Sequence, residues 1–165
     1  MKSNPLPALE ELQSLFEYNP DSGELFWRVR TSNRIYPGKV AGWSGQRGYR
    51  SVTLGKRKFK VHRIAFYMGS GIEPTGEIDH INGVKSDNRL CNLRDATRSQ
   101  NRANTRAFKN NKLGLKRVSK HKGKYRAQIG FHGRKIYIGL FESPEEAHAA
   151  YVEKARKLFG GFAHA

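Results

Sequence analysis

The chain has 165 residues and a formal net charge of +17, with a pI near 10.3. That length makes one ordinary domain or two small ones, and that charge selects polyanions such as DNA or RNA as partners. No apolar run of about 18 residues exists to span a bilayer, and the N-terminal stretch "MKSNPLPALEELQSLFEY" breaks its apolar residues with Glu and Gln, unlike a secretory signal.

Taken in chain order, residues 7–18 read as an amphipathic helix with Leu9, Leu12, Leu15 and Phe16 on one side. "NPDSG" breaks it, and "ELFWRV" (24–29) follows as a strand. Residues 32–48 form a Gly-rich loop region. "YRSVTLGKRKFKV" (49–61) predicts a hairpin turning near Gly55-Lys56. "HRIAFYMGSG" (62–71) predicts a short helix with Ile64, Ala65 and Met68 inward, ended by glycine. His62, at its start, reads as structural.

The stretch "EIDHINGVKSDNRLCNLRDATRSQNRANTR" (77–106) places an Asp-His pair beside many Asn and Arg residues. It is either a polar loop or a metal site acting on phosphodiesters. "EIDHI" reads as a strand, "NGVKSDN" as a turn-rich return, and "RLCNLR" as a second strand carrying Asn92. Cys91, the only cysteine, rules out an intrachain disulfide and is expected as a small core residue. "ATRSQNRAN" starts a helix capped by Thr97, with Gln100 closing a capping box. A hairpin crossed by that helix would gather Asp79, His80, Asn92 and Asn101. Asp and Asn oxygens suit Mg²⁺ or Mn²⁺, a neutral histidine can take a proton from water, and a metal can stabilise the leaving oxygen. Asn82, Asn88 and Asn104 read as turn or capping residues. Arg89 and Arg94 read as phosphate clamps or solvated side chains. His121, His132, His148 and His164 lack metal-ligand spacing.

Between Asp95 and Glu142 there is no acidic residue but thirteen Lys and Arg, which favours a binding surface over a solvated face. Residues 107–113, "AFKNNKL", read as a linker. "KYRAQIGF" (124–131) and "RKIYIGLF" (134–141), joined by "HG", form a hairpin. One face carries Tyr125, Ala127, Ile129, Phe131, Ile136, Ile138 and Leu140. The other is basic, with Lys124, Arg126, Gln128, Lys135 and Tyr137. "GLKRVSKH" supplies a third strand. "SPEEAHAAYVEKARKLFGG" is a helix with a Ser143/Glu146 capping box and a stripe of Ala147, Ala150, Tyr151, Ala155 and Leu158. The fold class expected is α+β, divided as 1–106, linker 107–113, and 114–165.

"DHINGVKSDNRLCNLR…TRSQN" resembles the HNH nuclease motif of phage and intron-encoded endonucleases, with "VHRIAF" upstream also in keeping. The resemblance implies a metal-dependent DNA endonuclease with a ββα-metal nuclease module. His80 would be the general base, Asp79 and Asn101 would hold one divalent metal (Mg²⁺ or Mn²⁺), and Asn92 would orient the histidine. Residues 112–162 resemble the plant ethylene-response-factor (apetala-type) DNA-binding domain, through "GKYRAQI", "YIGLFESPEEAHAAY" and "KLFGGFA". That implies a three-stranded antiparallel sheet packed on one helix and laid in a DNA groove. The DNA-binding residues expected are Lys116, Arg117, Lys124, Arg126, Gln128, Arg134, Lys135 and Tyr137. Ser119, Gln128 and Gly130 depart from the charged residues common in that family, and Arg117 stands where a glycine is usual. The partner implied is double-stranded DNA, with no membrane and no small-molecule substrate. Localisation would be cytoplasmic, within a bacterial host. A non-catalytic phage DNA-binding regulator is the rival reading; target sequence, oligomeric state and nicking versus double-strand cleavage are left open.

Overall fold

The computed structural model describes residues 4–45, 48–105, 107 and 111–164. Helix and sheet are mixed throughout, as the α+β reading expects. The chain forms two compact units, Met1–Asp95 and Ala96–Ala165.

The first unit opens with α1 (Leu9–Leu15), β1 (Phe16–Tyr18) and β2 (Leu25–Trp27). The helix expected over 7–18 stops at Leu15, because Phe16 leaves it to pair with Trp27 and Tyr18 with Leu25. The Phe16 and Trp27 rings lie 4.5 Å apart at their centroids. Aromatic contact in a half-buried ribbon outweighs the helical spacing of the leucines. The Gly-rich region leads into β3 (Trp43–Ser44), which pairs with β4 (Arg50–Leu54), itself paired with β5 (Arg57–Lys60). The hairpin turns at Gly55-Lys56, as its turn chemistry predicts. α2 (Val61–Ser70) follows without a break and ends at Gly71, whose φ of 71° provides the left-handed cap. Its buried face (Val61, Ile64) closes a core with Leu12, Phe16, Leu25, Val52 and Phe59. Each such side chain contributes about 1.5–3 kcal/mol on burial.

α2 also carries Ala65, which packs with Ile78 and Leu93 in a second small cluster. Those two residues belong to β6 (Glu77–His80) and β7 (Leu93–Ala96), which pair with each other. The second strand expected over 89–94 begins only at Leu93. Leu90–Asn92 instead form one 3₁₀ turn. Two expectations change as a result: Asn92 lies just before the strand rather than on it, and Cys91 is exposed rather than a core residue.

The second unit begins with α3 (Arg98–Asn104), capped by Thr97 and Gln100 in the expected reciprocal box. Its Ala103 joins a core made with Val118, Ala127, Ile129, Ala147, Tyr151, Ala155 and Phe159. For that reason the boundary between units falls before α3 and not across 107–113. Arg106, Phe108, Lys109 and Asn110, within or beside the expected linker, lie outside the described residues. β8 (Val118–His121), β9 (Lys124–Phe131) and β10 (Arg134–Phe141) form an antiparallel sheet in the order β10-β9-β8. α4 (Pro144–Phe159) buries Ala147, Tyr151, Ala155 and Phe159. A bulge between Tyr137 and Gly139 shifts the β9–β10 register, so that Leu140 sits opposite Arg126. Leu140 is therefore exposed on the basic face, not on the apolar face where strict alternation would put it.

Candidate functional site

Asp79 and His80 are the last two residues of β6, and both are buried. Four hydrogen bonds fix the entry to this strand. Asp95 accepts from the Thr75 amide and hydroxyl and from the Gly76 amide at 2.7–2.9 Å, and Arg63 donates to the Gly76 carbonyl at 2.9 Å.

The His80 ring lies in a cluster of side chains from four segments. Its Nε2 is 3.0 Å from Asn88 Oδ1. An amide oxygen only accepts, so this contact puts a proton on Nε2 and makes Nδ1 the acceptor nitrogen of the ring. The His62 ring stands edge-on at 5.1 Å, and Tyr49 lies near both histidines. Burial pushes His80 below the ordinary histidine pKa, against the opposing effects of the Asn88 bond and the Asp79 charge. Burial, with His80 as the next cause, pushes His62 down to about 3. Both rings are thus neutral near pH 7. Lys60 and Lys85 lie over Tyr49 at 5.3 and 4.9 Å, a cationic rim beside the pair.

Asn88 is one of the most deeply buried polar residues of the unit. The N-terminal ribbon holds its backbone: Tyr18 donates its hydroxyl to the Asn88 carbonyl at 2.7 Å, and the Leu90 amide donates to the Pro20 carbonyl at 3.1 Å. Gly23 touches the same turn. A Cβ there would sit 2.4 Å from the Arg89 nitrogen, and its φ is +74°. Asn88 is therefore more than the turn residue its sequence context suggests. The sequence signal was the aligned "DNR", which says nothing about where the side chain points.

Asn92 acts on the loop rather than on the ring. Its Oδ1 accepts from the Asn82 amide at 3.0 Å and its Nδ2 donates to the Asp87 carbonyl at 2.8 Å. The Ile81 amide donates to the Asn92 carbonyl at 2.9 Å. Asn92 thus ties together both ends of the segment that delivers Asn88. Arg89 is not a free phosphate clamp, because it forks onto Asp87 at 2.7–2.8 Å. This holds the Asp87 carboxyl well below the usual carboxylate range. Arg94 pairs with Asp79, its Nε and Nη2 each 2.9 Å from Oδ2.

Among the described residues, no three His, Cys, Asp or Glu gather as a metal cluster. The candidate donors are oxygen atoms, the Asp79 carboxylate and the Asn101 amide. That chemistry fits a hard ion completed by water and phosphate oxygens better than a thiolate or imidazole metal. Asn101 lies in α3, in the second unit.

In the second unit the strand pairings put Arg126 with Ser119 and Leu140, Gln128 with Tyr137, and Gly130 with Lys135, each pair on a common face. Lys124, at the end of this face, pairs with Glu142 at 2.5 Å. Arg117, Arg134, Lys135 and Tyr137 are exposed. Lys116 is not: its ammonium is buried and donates to the carbonyls of Ala103 and His164. Burial and the Arg117 charge push it down to about 8. Its charge serves the packing of the unit, and the alternating pattern of the sequence carried no sign of this.

Residues 59–103 match the HNH endonuclease family. That segment runs from β5 through α2, β6 and β7 into α3, and contains Asp79, His80, Asn88, Asn92 and Asn101. The chain is 31% identical over 127 residues to a protein of Acanthamoeba polyphaga mimivirus described as an uncharacterized HNH endonuclease. The alignment covers 76% of this chain and 66% of that relative, just under two thirds of its length. No solved structure matches the chain. The buried Asp-His pair and the asparagines that brace it therefore lie in a domain of the HNH endonuclease family.

Proposed function

We propose that the protein is a metal-dependent DNA endonuclease whose cut is made at His80 and whose second unit docks on duplex DNA. The observation that carries the reading is the state of His80. It is buried, below its ordinary pKa, and held through Nε2 so that Nδ1 is the ring's acceptor. Such a ring can take a proton from water at neutral pH. The imidazolium so formed would keep its Nε2 proton on Asn88 and gain from the buried Asp79 carboxylate beside it. Asp79 and Asn101 would hold Mg²⁺ or Mn²⁺. When bound, the metal would stabilise charge on the phosphate and on the leaving 3′ oxygen. Arg94 pairs with Asp79 and fixes its direction. Asn92 keeps the Asn82–Asp87 loop closed.

The docking role of the second unit rests on its charge and its sheet. It has sixteen Lys and Arg against four Glu, and a face that carries Arg126, Gln128, Lys135 and Tyr137. A sheet on one helix with this face supports the ethylene-response-factor-type reading. Phosphate contacts set register and base-edge contacts specify. Arg126 and Gln128 have the side chains for bidentate pairing to guanine and adenine. The test is cleavage of supercoiled plasmid with Mg²⁺, alone and with EDTA. Open circles or linear DNA that vanish with EDTA support the reading; cleavage that persists in EDTA contradicts it.

A further inference from the structure

Three described non-glycine residues have left-handed backbone: Arg117 (φ 64°), Lys122 (φ 48°) and His132 (φ 45°). Two of them need no special explanation. Lys122-Gly123 and His132-Gly133 are two-residue hairpin turns, where positive φ at both central positions is the favoured geometry. Arg117 is in no hairpin. It leads into β8, immediately after the buried Lys116. It is the third residue of the Leu115–Val118 turn, closed by the Val118 amide on the Leu115 carbonyl at 3.4 Å, a position of positive φ that ordinarily takes glycine, so an arginine held there points to a use for its side chain.

Arg117 lines a cavity of about 170 Å³ within the second unit. Its rim brings together Arg102 of α3, Arg117, and Arg134 and Lys135 from the start of β10. Its floor includes Ile129 and Tyr151. None of the four rim cations makes a carboxylate ion pair among the described residues. The glutamates of this unit all lie at or beyond position 142. Two of them are already occupied, Glu142 by Lys124 and Glu153 by Lys157. Burial, and after it the Arg117 charge, lower the neighbouring Lys116. Four cations around one concavity, with no carboxylate paired to them among the described residues, make it an attractive place for an anion.

We propose that this cavity is a phosphate site, with Arg102, Arg117, Arg134 and Lys135 closing on one backbone phosphodiester of bound duplex DNA. The site lies where β9 turns into β10 and where α3 packs, so it adds a fixed phosphate contact to the base-reading face of the sheet. It rests on the reading of the second unit as a DNA-docking element. Arginine forks suit phosphate oxygens in pairs.

The backbone strain makes the test sharp. In the full chain, Arg117→Gly removes the cation and the strain together. The expected result is a melting temperature equal to or above the wild type, with weaker DNA binding. The slope of log K against log salt should fall by about 0.9, the share of one phosphate. Arg102→Gln should weaken binding in the same direction. Lys122→Asn, which removes one charge at the opposite end of β9 and keeps a residue suited to positive φ, should change the slope less. Inorganic phosphate, compared with chloride at equal ionic strength, serves as the second probe. If wild type binds duplex and Arg117→Gly and Arg102→Gln keep its slope, the site is overturned while the docking role stands. If wild type binds no duplex but phosphate raises its melting temperature and not that of Arg117→Gly, the ligand is free phosphate and the DNA assignment is overturned. If neither probe binds, both readings fall.

Discussion

Replacing His62 with phenylalanine should remove much of the acid sensitivity of the first unit. His62 is buried, its Nδ1 has no hydrogen-bond partner among the described residues, and burial pushes its pKa from 6.5 to about 3. In the unfolded chain it titrates at the ordinary value. Between those two values the unfolded state therefore holds the extra proton, and stability falls as pH falls through that window. Above about pH 6.5 both states are neutral and the effect vanishes. Each pH unit inside the window costs about 1.36 kcal/mol, so at about pH 4.5 His62 alone costs about 2.7 kcal/mol. That is a large share of the roughly 5–15 kcal/mol by which folded domains are stable. Phenylalanine fills the same edge-on position against His80, cannot be protonated, and leaves no buried ring nitrogen unsatisfied. The assay is urea unfolding followed by tryptophan fluorescence. Both tryptophans, Trp27 and Trp43, lie in the first unit, so the signal reports that unit alone. The wild-type midpoint should drop between about pH 7.5 and 4.5 by roughly 1–3 M more than that of His62→Phe, for a denaturant slope of about 1–3 kcal/mol/M. His80, also lowered by burial, leaves a residual slope in both proteins. Equal drops in the two would refute the claim that His62 is buried neutral.

Other outcomes follow from the same geometry. Asn88→Leu should lower kcat by about tenfold or more while KM for DNA holds, because it strands the Nε2 proton of His80 in a buried site at a cost of about 1–3 kcal/mol; Asn88→Asp, which keeps an acceptor, should recover part of the loss, and equal rates for all three would remove Asn88 from the site. Gly23→Ala should destabilise the first unit by at least about 2 kcal/mol, since it joins left-handed strain to overpacking against the Arg89 backbone; an unchanged urea midpoint would contradict the close approach. Asp79→Ala should abolish cleavage at ordinary Mg²⁺ concentrations and leave duplex affinity intact, measured by plasmid nicking beside fluorescence anisotropy.

Local chemistry made much of this legible in the residues. The capping boxes at Thr97 and Ser143 and the hairpins at 55–56 and 132–133 are written in side chains that contact their own neighbours in sequence. What was not legible depends on partners distant in sequence. Phe16 leaves its helix for Trp27, eleven positions later. Tyr18 reaches the Asn88 carbonyl across seventy residues. Lys116 turns inward to carbonyls that arrive from α3 and the C-terminus. At the candidate site, the motif spacing offered Asp79, His80 and Asn92 as candidates but not which asparagine meets the histidine. Asn88 falls at the end of the expected turn and Asn92, four residues on, in the expected strand. The 3₁₀ turn at Leu90–Asn92 separates their roles, and it also exposes Cys91.

The central claim is that His80 takes the proton from the attacking water. The direct measurement is the initial rate of supercoiled plasmid cleavage in Mg²⁺ by wild type and His80→Ala, with duplex affinity recorded for both. A fall of about 10²–10⁴ in rate at unchanged affinity is the predicted result. Cleavage by His80→Ala at the wild-type rate, or a wild-type protein that binds duplex and leaves the plasmid supercoiled, would contradict it.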